Sequence, residues 1–214
     1  PFVEGDGTVT GATSSTGESV GVVSASALDV TINGVTTRLT DNGTTFSDTA
    51  GLVQFQLFYV NNAGILSANQ VQFLAVLTDQ TTGTDYFGGF VDGNVTPVGF
   101  MPTSGTASYS GRVDAIDGSG GQNVGSISLN ADFAAGTVGG SIAGALPAQS
   151  SAIFTLTPTA IAGNSYSTTL SGTTVAVTDS ALQGRFFGAD ASETGGTFRL
   201  ETAAGNAIGV FSAD

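Results

Sequence analysis

Apolar residues fall on alternate positions over most of this chain, the spacing of strands that bury one face. In Ile127-Ser-Leu129-Asn-Ala131-Asp-Phe133 every second residue is apolar and the residues between are small or polar. Runs of this kind recur at 106–116, 124–133, 137–144, 152–161, 165–170, 181–188, 194–201 and 207–212, joined by turns rich in Gly, Asn or Asp. Eight such runs predict an all-β fold closed as an antiparallel up-and-down barrel. Closure removes the exposed edges that a sheet with few charges cannot otherwise protect. A two-sheet sandwich is the competing architecture. Leu129, Phe133, Leu156, Phe186 and Phe198 are the expected core.

Upstream, Leu28-Asp-Val30-Thr-Ile32 and Val35-Thr-Thr37-Arg-Leu39 flank Asn33-Gly34. That dipeptide between two alternating runs spells a hairpin, since both central residues of a type I′ turn need positive φ. Strands are also expected at 53–60, 71–77 (in preference to a short helix) and 85–91. The first twenty residues, rich in Gly, Thr and Ser, read as a flexible arm in preference to a short edge strand. Between Pro97 and Gly105 two prolines and two glycines fall within nine residues, the best linker in the chain. It divides a β domain over 1–102 from a barrel over 103–214.

Composition then removes whole classes of function. The 214 residues hold 17 Asp+Glu against 4 Lys+Arg, a formal net charge of −13. All the cations are arginines: Arg38, Arg112, Arg185 and Arg199. So acidic a chain, with no basic patch, repels phosphate backbones, and nucleic acid is excluded as a partner. Without His, Cys or Lys there is no Ser-His-Asp or Cys-His catalysis, no zinc finger, no Schiff base and no P-loop. No apolar run is long enough to span a membrane as a helix. A chain opening at Pro1 is expected to have shed any signal peptide or lipid-bearing cysteine. The acidic, cysteine-free composition fits a bacterial extracellular protein, as in a saline habitat.

A few residue groups invite chemistry, and each has a plainer structural reading that is preferred. Asp114-Ala-Ile-Asp117-Gly-Ser-Gly-Gly-Gln-Asn123 resembles a calcium loop but lacks its ligand order and closing Glu, so a barrel loop is expected. Asp190/Glu193 and Asp41/Asp48 could pose as glycosidase pairs, but carboxylates in turns more often cap than catalyse. Tyr59, Tyr86, Tyr109, Tyr166 and Met101 are the only side chains suited to haem iron, and Tyr109 and Tyr166 are expected to pack on barrel strands with the phenol at the rim. Tyr86-Phe-Gly-Gly-Phe90 is either an exposed aromatic patch or, preferably, core of the first domain. Asn42-Gly-Thr44 and Asn94-Val-Thr96 match the glycosylation pattern, by accident in a bacterial chain. No catalytic residue, metal ligand or cofactor is assigned.

Three stretches carry a family resemblance. Met101-Pro-Thr-Ser-Gly105-Thr-Ala-Ser-Tyr109-Ser-Gly111 looks like a "P-x-x-G-x-A-x-Y-x-G" start to a barrel. Leu129-Asn-Ala-Asp132-Phe133, followed by Val138-Gly-Gly140, looks like "L-x-V-D-F" and "V-x-G". Most specific is Gly184-Arg-Phe186-Phe187-Gly188-Ala-Asp-Ala191-Ser-Glu193-Thr-Gly195-Gly196-Thr-Phe198, similar to "G-x-F-Y-G-P-x-A-x-E-x-G-G-x-F", with Gly209-Val-Phe211 after it. Phe187 replaces the usual Tyr, and Ala189-Asp190 stands where Gly-Pro would continue. Over roughly 100–214 the chain resembles the β-barrel of the transferrin-binding protein B family of Gram-negative surface lipoproteins.

The resemblance implies an N-terminal handle-like β region before an eight-stranded barrel. It implies a non-catalytic binding protein, extracellular or on the outer-membrane surface, that captures an extracellular protein or small ligand for nutrient uptake. Its ligand-binding residues are not nominated, because only framework positions match. Within the matched stretch, Gly195 and Gly196 are expected to supply positive φ to a hairpin loop, and Glu193 to accept hydrogen bonds from that loop's amides. Two readings from other classes stand beside this one: a self-assembling subunit of an extracellular filament or surface layer, and a secreted haem carrier.

Overall fold

The structure is a computed structural model that describes residues 2–4, 12–13, 19–24, 27–32, 35–41, 46–48, 53–59, 69–79, 84–117, 121–146 and 149–214. Two antiparallel systems follow one another along the chain. The first comprises β1 (Phe2–Glu4), β2 (Ala12–Thr13), β3 (Ser19–Ser24), β4 (Ala27–Ile32), β5 (Val35–Asp41), β6 (Phe46–Ser47), β7 (Val53–Tyr59), β8 (Gln70–Asp79) and β9 (Thr84–Gly93). They pair in chain order, and the sheet closes where β1 lies parallel to β9, with Phe2 opposite Phe87. Within the first twenty residues, 2–4, 12–13 and 19–20 are therefore strand rather than arm. Their strands pair the backbone groups of β3 and β9 that would otherwise form open edges. The strands that flank Asn33-Gly34 pair as expected, with Ile32 directly opposite Val35, and the two turn residues lie outside the described residues.

The second system comprises β10 (Thr106–Asp117), β11 (Gln122–Asp132), β12 (Thr137–Ala143), β13 (Ile153–Ala160), β14 (Ser165–Thr168), β15 (Leu170–Gly172), β16 (Val177–Phe187), β17 (Glu193–Thr202) and β18 (Gly205–Ala213). Its order is β14-β16-β17-β18-β10-β11-β12-β13-β15, so the two edges belong to segments only one residue apart. At Thr169 the chain changes partner, from β16 to β13. Thr169 itself accepts a bond from the Thr157 amide at 3.0 Å. On the other side the Ser180 hydroxyl accepts from Leu170 N and donates to Leu170 O, replacing ladder bonds with a side chain. Counted with β14 and β15 as one split strand, this is the expected eight-stranded barrel, nearly closed.

Side chains fill the interior. Leu129, Leu156, Phe186 and Phe198 are fully buried with Phe154, Ile142 and Phe211. Phe186 lies at the centre, its ring 5.5 to 5.9 Å from those of Tyr166, Phe133 and Tyr109, in tilted geometries that favour edge-to-face contact. Phe133 is only half-buried, because it follows the last residue of β11 at the mouth of the barrel.

The β16–β17 connection departs from expectation. Gly195 and Gly196 lie inside β17 in extended backbone, and the turn is made by Gly188, Asp190 and Ala191 at φ of 76°, 55° and 56°. The glycines serve close approach instead. A Cβ on Gly195 would stand 1.6 Å from Gln70 Oε1, and one on Gly196 1.9 Å from Gln183 O.

Candidate functional site

Strands β8 and β9 lie across the outer wall of the barrel. Leu74, Phe87 and Val91 pack on Ile116, Phe187, Ile208 and Val210, which the barrel's alternation points away from its own core. Gly89 lets the sheets meet, since a Cβ there would be 2.9 Å from Val210 Cγ1. Phe87, from the Tyr86–Phe90 tract, thus packs on the barrel; the side chains of Tyr86 and Phe90 lie outside the described residues.

Polar bonds rim this apolar seam. Glu193 accepts from Asn69 Nδ2 at 2.6 Å and from Asn69 N at 3.3 Å, so it ties the two sheets together rather than capping its own turn. The Gln70 amide donates to Thr194 O at 3.0 Å. Thr96 is held four ways: its hydroxyl donates to Gly188 O, its amide to Phe186 O, its carbonyl accepts from Asn164, and its neighbour Val95 bridges Phe187. The predicted linker is therefore pinned at its start. Within it, Val98–Phe100 forms a single 3-10 turn that leaves Val98 62% and Phe100 67% exposed.

The remaining groups singled out in the sequence are committed elsewhere. Asp114 takes a bidentate bond from Arg112 at 2.6 and 2.7 Å, and Asp117 accepts from Gly121 N, so the calcium-like acids have separate partners; residues 118–120 lie outside the described residues. That same bond to Asp114 raises the Arg112 guanidinium above its ordinary pKa. Among the described residues no cluster of three or more His, Cys, Asp or Glu could hold a metal. Asp190 is exposed in the turn, whereas Glu193 is buried. The side chain of Asp41, partner of Asp48 in the second acidic pair, lies outside the described residues, as do Asn42-Gly-Thr44.

The phenols of Tyr109 and Tyr166 are buried. Tyr109 donates to Ala191 O at 2.7 Å, and Tyr166 shares a 2.7 Å bond with Thr194 Oγ1. Burial pushes the Tyr109 phenol up to about 12 and the Tyr166 phenol higher still, against the opposing effect of the Thr194 bond. Met101 packs half-buried against the barrel core, and the Tyr59 side chain lies outside the described residues. Sequence reasoning missed the seam anchors Asn69, Gln70, Thr96 and Asn164. Glutamines at 70 and 72, in the strand phase that Leu74 continues, were the available signal.

A barrel whose outer wall is covered by a second sheet defines a two-part β lobe, and the comparisons agree with that class. The family of C-lobe and N-lobe beta barrels of Tf-binding protein B matches residues 101–214, and this chain belongs to that family. No curated protein matches it in sequence. Among solved structures, a mutant of transferrin binding protein B from Haemophilus parasuis Hp5 is 18% identical at a TM-score of 0.50, covering 95% of this chain and 47% of that one. Intact Ap-TbpB, with N and C lobes, is 17% identical at a TM-score of 0.48, covering 95% and 48%. A surface lipoprotein is 15% identical at 0.49, covering 92% and 96%. At these identities the likeness is one of fold, and the chain spans about half the length of the transferrin binding protein B structures it matches.

Proposed function

We propose that this chain is a lobe of a Gram-negative cell-surface binding protein, a non-catalytic module that captures an extracellular protein. One observation carries the reading: the family of the barrel, matched over 101–214, in a chain whose first sheet is fastened across the barrel wall. In this reading residues 1–102 are the handle-like domain and 103–214 the barrel. Because side chains fill the barrel, the partner meets its loops and outer surfaces. The exposed Val98–Phe100 turn gives such a surface an apolar anchor of the kind on which interfaces depend. The net charge of −13 steers a partner that presents a basic face.

The test is binding of the immobilised full chain to transferrin and to lactoferrin, the partners printed in the names of its structural relatives. Saturable binding to one of them, weakened by added salt, supports the reading. Absence of binding to both, at low and at moderate salt, removes it.

A further inference from the structure

Beside the seam the barrel wall carries a cleft of about 300 Å³ that the protein-capture reading does not use. It is lined by Gly184, Gly195 and Gly196 of β16 and β17 together with Ser165, Ser167, Gln183, Thr197, Val91 and Phe187. Arg185 also lines it and has a partner within the protein. No carboxylate lines the cleft among the described residues.

A second observation lies on the handle strand next to it. Gln72 stands opposite Val91 in the β8–β9 register and is 3% exposed, yet neither atom of its amide has a hydrogen-bond partner. Gln70, two residues back on the same face, also has an unpartnered Oε1, which leans over Gly195 of the cleft floor. A buried amide with nothing bonded to it destabilises the fold. Leucine at 72 would continue the apolar face that Leu74 begins and remove that penalty. Gln72 is not among the residues that line the cleft, and the unpartnered acceptor nearest its floor is Gln70 Oε1 over Gly195.

We propose that this cleft binds a neutral, hydroxyl-rich ligand: a single sugar ring. A hydroxyl both donates and accepts, so it suits a wall of hydroxyls and amides that offers both. A ligand ammonium would meet no carboxylate among the described lining residues, and a ligand carboxylate would enter against the field of an acidic chain. Val91 and Phe187 offer an apolar flank for the C–H face of a ring. The volume sits at the low end of ligand pockets, which fits one ring rather than a chain.

The experiment is saturation-transfer NMR on the full chain with mannose, galactose, glucose and N-acetylglucosamine, with citrate and lysine as charged controls. At least one neutral sugar should bind saturably. Gln183→Ala and Thr197→Val should each weaken it roughly tenfold at unchanged melting temperature. Thr155→Val, on another strand of the outer wall, should not. Gln72→Leu should raise the melting temperature and leave the sugar's affinity unchanged, since Gln72 does not line the cleft. A glycan array separates a free sugar from the terminal residue of a glycan, and either source satisfies the proposal. Binding of citrate or lysine alone, no saturable sugar signal, or sugar binding indifferent to both Gln183→Ala and Thr197→Val overturns it.

Discussion

Two residues separate Asp190 from Glu193, and their surroundings differ in kind. Asp190 is exposed at φ 55° and ψ 31°, a left-handed conformation that strains an L residue by roughly 1–2 kcal/mol. Glu193 is buried and accepts two bonds from Asn69. Glu193→Ala should lower stability by about 2 kcal/mol, since it leaves part-buried donors unpaired. Asp190→Gly should leave stability within about 0.5 kcal/mol, because relief of strain offsets the entropy of glycine. Urea midpoints of the two single mutants check this, and equal effects would contradict the seam assignment of Glu193. The buried tyrosines give a pH dependence of definite sign. Tyr109 is raised from 10.0 to about 12, so above pH 10 the unfolded chain loses a proton that the folded chain keeps. Stability from this group is therefore complete below pH 10 and falls as pH climbs towards 12. Near-ultraviolet titration should show Tyr109 and Tyr166 ionising only with unfolding, and Tyr166→Phe should remove its share of that alkaline loss.

At the scale of elements, glycine placement decides whether β14, β16 and β17 can share one wall. A Cβ on Gly184 would lie 2.2 Å from Tyr166 Cζ, and that ring is fixed by its neighbours Phe186 and Thr194. Gly184→Ala should thus lower stability by about 2–3 kcal/mol through overpacking, whereas Gly136→Ala, in a turn with open space, should be limited to the strain of its positive φ. Thermal melts of the two variants would expose the difference, and equal losses would show that the ring moves aside. The alternation behind β11, β12 and β13 was legible because each of those strands buries one face, which period two reports directly. The split at Thr169 was not, since both halves keep the same alternation and only the partner changes. Gly195-Gly196 misled in the opposite sense: paired glycines signal a turn in sequence, while here they mark where Gln70 and β16 press on the strand. The short strands β1 and β2 ranked below an arm in the sequence, because two or three residues cannot display a period. The seam was illegible for a related reason. Its apolar half, Ile116, Phe187, Ile208 and Val210, sits on the outward phase of barrel strands, where a single sheet predicts polar residues.

For the whole molecule, that outward apolar phase sets what the barrel can do alone. Its own core, from Tyr109 to Phe211, is drawn almost entirely from residues after 103, and its ladder nearly closes without help from the first sheet. A fragment spanning 103–214 is therefore expected to fold with a single cooperative transition. It should not behave as the full chain does. Removing β8 and β9 uncovers Ile116, Phe187, Ile208 and Val210 together and takes Asn69 from Glu193 and Thr96 from Gly188. A contiguous apolar patch on a barrel wall drives association and binds apolar dyes. The fragment should melt below the full chain, bind such a dye and grow in apparent size with concentration on size exclusion. Ile208→Thr with Val210→Thr should return the fragment to a monomer, and the same pair in the full chain should lower its melting temperature, because there those side chains are buried against Leu74 and Phe87. A fragment that remains unfolded would show that the first sheet is part of the barrel's folding unit. A monomeric fragment that binds no dye would show that the wall rearranges once uncovered, and either result would end the division at residue 103.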